Sequence, residues 1–181
     1  MISIHINESE LYNEKTEEFI TIKEQTISLE HSLVSVAKWE SKWEKSFLGT
    51  SKKTNEEMLD YIRCMTINQK NVDPIVYKLL SKEDLEKIIK YIEAPMTATW
   101  FNEAPGGKTN REVITAEIIY YWMITFNIPV EFQKWHLNRL LTLIKVCSIK
   151  NTPKNKMKRS EILNQNKAIN QARKKALNTK G

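Results

Sequence analysis

The tetrapeptide Gly106-Gly107-Lys108-Thr109, ahead of a helical stretch, is the nearest this sequence comes to phosphate chemistry. A phosphate-binding loop needs a ring of backbone N–H groups and a glycine at its start for the tight turn. That first position is Asn102, and no acidic strand for a magnesium ion follows, so the segment reads as an ordinary loop before a capped helix. His5, His31 and His136 lie far apart, and none has a second His or Cys at metal-ligand spacing. Cys64 and Cys147 are equally solitary in apolar helical surroundings, which suits buried thiols better than a disulfide framework. Carboxylates cluster as Glu17-Glu18, Glu56-Glu57 and Glu83-Asp84, positions that end a loop or open a helix, where an acid favours the positive helix terminus. No acid, base, nucleophile or metal set converges, so the expectation is a non-enzymatic protein without a cofactor or metal.

The chain is instead segregated by charge. Residues 145–181 hold eleven Lys and Arg against one acid, Glu161, which leaves 17 bases and 21 acids in the first 144 residues. A near-neutral body that can bury a core is thus joined to a cationic arm, and such an arm points to binding. Its residues Arg159, Arg173, Lys174 and Lys175 are the first candidates for contact with a partner. They could meet an acidic protein, neutralise nucleic-acid phosphates, or stay solvated. The arm has no aromatic residue to stack on bases and no Trp or Phe to anchor in a membrane surface.

These features belong to elements that must position them. A length of 181 residues fits one domain with an appendage, divided here as residues 1–150 and a basic C-terminal arm, 151–181. Only four Gly and five Pro argue against a many-stranded or loop-rich architecture. Met1 to Ile6 alternates instead of forming a secretory signal. The longest apolar run, Ile118 to Ile124, falls well short of the roughly 20 residues needed to span a bilayer. A soluble, intracellular protein is expected.

Residues 2–6 and 19–29 read as strands of an antiparallel hairpin, joined by a polar loop from Asn7 to Glu18. Helical spacing then marks Ser32 to Glu44, with Trp39 and Trp43 one turn apart. Thr54 and Glu57 form a capping box, Asp73-Pro74 opens a short helix to Leu80, and Ser81 starts another bearing Leu85, Ile88, Ile89 and Ile92. Residues 94–110 are irregular, with a second capping box at Thr109 and Glu112. The helix after it is apolar all round, which predicts a central core helix. Pro129 begins a further helix to about Val146, expected antiparallel to its predecessor, and Ser160 to Leu177 completes the chain. The predicted class is mainly α (α+β): a helical domain, a small N-terminal β-hairpin and a basic helical arm.

Several blocks resemble small morphogenesis proteins of tailed bacteriophages, the tail assembly chaperones. They are Leu29 to Leu48 (LEHSLVSVAKWESKWEKSFL), Glu56 to Thr66 (EEMLDYIRCMT), Ala94 to Phe101 (APMTATWF), Arg111 to Asn151 with its FQKWHLNRLLTL segment, and Leu177 to Gly181 (LNTKG). The resemblance implies a non-enzymatic assembly factor in the infected bacterial cytoplasm. Such a factor would coat the tape-measure protein and help tail subunits polymerise, then leave before the virion is finished. The resemblance brings no catalytic residue with it. Two alternatives stay open: a permanent connector or tail component of the virion, and a nucleic-acid-binding protein using the arm.

Overall fold

The computed structural model describes residues 1–13, 17–68, 72, 74–99, 101, 113–152 and 159–177. Their backbone divides into a body, Met1–Ser148, and a second unit, Ile149–Gly181. The fold is mainly α with a few short antiparallel strands.

In the body, β1 (Ile2–Ile6) pairs with β4 (Gln25–Leu29), setting Ile4 opposite Ile27. Alternation puts Ile4, Ile6, Ile27 and Leu29 into the core. Between them β2 (Ser9–Asn13) pairs with β3 (Glu18–Ile22), so half of the stretch expected as loop is strand. The reason is cross-strand pairing, which a one-strand reading of polar residues does not capture: Tyr12 lies opposite Phe19, with ring centroids 5.1 Å apart. The free side of β4 is capped by the chain at 66–68. Ile67 N–H donates to Ser28 O at 2.8 Å, and the Asn68 amide bonds both Ser28 N–H and Thr26 O.

The helix α1 (Leu33–Trp43) opens on a capping box made by Ser32 and Ser35, and α2 (Asn55–Met65) on the expected one of Thr54 and Glu57. They pack through the two indoles, which stack 6.3 Å apart. Trp39 Nε1 donates to Glu57 O and Trp43 Nε1 to Asp60 Oδ2, at 2.8 and 2.9 Å, so each buried N–H finds an acceptor. A 3₁₀ turn, Pro74–Lys78, stands where a short helix was expected and buries Val76 and Tyr77. Next, α3 (Lys82–Glu93) opens on Ser81 and Asp84. The Gly106–Thr109 loop and the Thr109–Glu112 box lie outside the described residues.

The next helix, α4 (Ala116–Thr125), departs from expectation. Ala116, Ile119 and Met123 are buried, yet Tyr121 and Ile124 are 64% and 76% exposed. Periodicity shows that every side of this helix is apolar, but not that another element covers each side. Its N-cap, Thr115, makes no side-chain cap bond. The buried carboxylate of Glu40 does that work from α1: Oε2 accepts from Ala116 N–H and Oε1 from Phe47 N–H, both at 2.7 Å. An acid at a helix N-terminus also meets the positive end of its dipole. After Pro129 a 3₁₀ turn, Val130–Lys134, precedes α5 (Leu137–Asn151), whose Leu137, Leu140 and Ile144 complete the core. Side chains of α4 and α5, among them Trp122, Phe126, Leu141 and Ile144, line a groove where an antiparallel pair was expected. In the second unit, α6 runs Arg159–Leu177, so Ser160 lies within the helix instead of capping it.

Candidate functional site

Of the four residues read as partner contacts, Arg173 and Lys174 are exposed on α6. Arg159 and Lys175 occupy helical positions at its start and near its end. At about 100° per residue, Arg159, Arg173 and Lys174 share roughly a third of the circumference, and Lys175 sits about 100° beyond Lys174. Fourteen residues at 1.5 Å each separate Arg159 from Arg173 by about 21 Å. The four positions therefore do not converge on a small ligand; three lie along one side of the helix and Lys175 lies off it. Leu163, Ile169, Ala172, Ala176 and Leu177 are also exposed; Ile169, Ala172 and Ala176 fall within about 60° next to Arg173 and form a narrow apolar edge open to solvent, while Leu163 and Leu177 fall among the cations. A long charged line beside an apolar edge suits an elongated macromolecular surface.

Some cations of the body, Lys42, Lys45, Arg63 and Lys87, are instead paired with nearby acids. Asp60 accepts from Lys42 Nζ at 2.7 Å and from Arg63 at 3.0 Å. Although burial alone would raise it, bonds from Lys42 and Trp43 bring its carboxyl below the usual range. Lys45 pairs with Glu57 at 2.5 Å, and this bond leads the causes that lower the Glu57 carboxyl. Partial burial pushes the Lys53 ammonium down, with Glu57 opposing the shift, as it lies 4.5 Å over the Phe47 ring. Burial, and next Asp60, push the Cys64 thiol up, which keeps it a weak nucleophile.

Two further features left no signal in the sequence. An apolar groove of about 360 Å³ runs between α2 and α3, with Met58, Leu59, Ile62, Leu85 and Ile89 in its walls. The second is a buried polar cluster. Residues 105 apart, His31 and His136, meet with ring centroids 5.0 Å apart, and Tyr61 and Tyr91 flank them. Glu30 beside them binds the Met1 amino group at 2.8 Å and accepts from Tyr91 OH at 2.6 Å. Among the described residues no group of three or more His, Cys, Asp or Glu is arranged to hold a metal ion. No described helix is long and apolar enough to cross a membrane.

No protein-family model matches the chain, and neither does any curated protein or solved structure.

Proposed function

We propose that this protein is a non-enzymatic assembly factor that binds an acidic protein surface through α6, in the role of a phage tail assembly chaperone on the tape-measure protein. One observation carries the reading: α6 presents its cations and its apolar edge together, and every side chain described on it is exposed. Apolar contact supplies affinity, while the basic line selects acidic partners and speeds encounter. The phage-like sequence blocks supply the biological setting, the cytoplasm of an infected bacterium. A permanent virion role is the second reading, favoured by the exposed Tyr12 and Phe19 on the β2–β3 hairpin, which could seat a neighbouring subunit.

The direct test is co-purification of the tape-measure protein with the full chain, against the double charge reversal R173E/K174E. The reversal is expected to lower affinity at least tenfold, equivalent to about 1.4 kcal/mol. Unchanged affinity would remove α6 from the interface. Preferential binding to duplex DNA, falling steeply between 50 and 200 mM salt, would replace the chaperone reading with nucleic-acid binding.

A further inference from the structure

The two buried histidines of the body occupy a seam between elements distant in sequence. His31 lies between β4 and α1 and is 2% exposed; His136 precedes α5 and is 6% exposed. Main-chain bonds tie the same place together. Leu137 N–H donates to His31 O at 2.7 Å, and Ser32 forms an antiparallel bridge with His136. The rings then reach outward, His31 Nδ1 to the Tyr61 hydroxyl of α2 and His136 Nε2 to Tyr91 O of α3, the latter at 3.0 Å.

These partners dictate the protonation state. A carbonyl only accepts, so His136 Nε2 carries the hydrogen and a neutral ring leaves Nδ1 bare. That Nδ1 is buried with no hydrogen-bond partner. Burial also keeps the Tyr61 phenol protonated, and it can donate to His31 Nδ1 only while that nitrogen is bare. A proton on His136 Nδ1 would create a buried N–H that faces no acceptor, and one on His31 Nδ1 would oblige the Tyr61 hydroxyl to turn from donating to accepting. Either would also set a buried cation 5.0 Å from the second imidazole.

We propose that the His31–His136 pair is an acid-operated latch: with both rings neutral it holds the start of α5 against the β4–α1 junction and the end of α3, and protonation releases that seam.

The groups facing the pair do not provide for a cation. From α2 comes Tyr61, with Cys64 and the Glu40 of α1 beyond it, the latter engaged by two backbone N–H groups; from α3, Tyr91; and ahead of β1, the Met1 amino group, itself positive. Glu30 is the anion nearest His136, and the Met1 amine and Tyr91 hydroxyl already hold it. Lys134, two residues before His136, is exposed. Burial, followed by the second imidazole, lowers His31 from 6.5 to about 3. For His136 burial again leads, and the ring is lowered even though Tyr91 O and Glu30 oppose it.

Bases depressed in the closed state contribute stability that is complete above about 6.5 and is lost as pH falls toward the depressed value. The lowered carboxyls Glu57, Asp60 and Asp84 lose theirs only below the ordinary carboxylate range. The interval from pH 7.5 to 5.5 therefore isolates the histidines. Over it, seam opening should rise about tenfold if one ring titrates on opening and about hundredfold if both do.

The experiment is amide hydrogen exchange on the full chain at pH 7.5 and 5.5, corrected for intrinsic exchange. The Leu137 and Leu140 amides, bonded to His31 O and His136 O, are expected to lose ten- to hundredfold protection while α2 amides keep theirs. Substituting the exposed His5, as H5Q, should leave that profile unchanged, whereas H136Q should cut the change to about tenfold or less, the part His31 supplies. If H136Q does not fold, NMR titration of the two rings in the unmodified protein replaces it, with both expected to titrate below 6.5. Flat protection at Leu137, equal loss across α2, or ring values above 6.5 would overturn the latch.

Discussion

At the scale of single residues, the stability of the body depends on buried polar groups whose partners lie far away in sequence. Glu40 is the clearest, because one carboxylate satisfies Phe47 N–H and Ala116 N–H in the interior. Glu40→Ala leaves both donors unsatisfied and should cost about 3 kcal/mol of unfolding free energy in denaturant titration, with Glu40→Gln recovering part of it. An alanine variant as stable as the native protein would show that water replaces the carboxylate. The His31–His136 meeting has the same origin. No spacing rule pairs positions 31 and 136, because the approach is made by the fold.

At the scale of elements, local chemistry carries most of the design. Thr54 with Glu57 and Ser81 with Asp84 start α2 and α3 where their types require, since each side chain satisfies an otherwise orphaned N–H. Thr54→Ala should therefore cost about 1 kcal/mol, read as a lower denaturation midpoint with an unchanged slope. Period-two alternation likewise made β1 and β4 legible. Local logic failed where a neighbour decides the outcome. Polar Ser9 to Asn13 becomes β2 because β3 pairs with it, and α4 leaves Tyr121 and Ile124 in solvent although its sequence is apolar all round. For α6, helicity is part of the proposed recognition, so Ala172→Gly, which weakens a helix by about 1 kcal/mol, should reduce partner affinity about fivefold. Full affinity in that variant would mean the arm binds without being helical.

At the scale of the whole molecule, the division of charge organises the account. Seventeen bases against 21 acids in the first 144 residues leave the body able to fold around its core, and eleven bases against one acid make the remainder the cationic part on which the proposed contact rests. That division is visible in the sequence, and so are the four arm positions, but the partner is not, since a basic helix serves protein and nucleic acid alike. The claim that separates a chaperone from a virion component concerns where the protein is when assembly ends. Quantitative mass spectrometry of purified virions and infected-cell lysate, normalised to a major tail protein, addresses it most directly. The account expects abundance in lysate and absence from particles; a fixed stoichiometric copy number in the particles would contradict it.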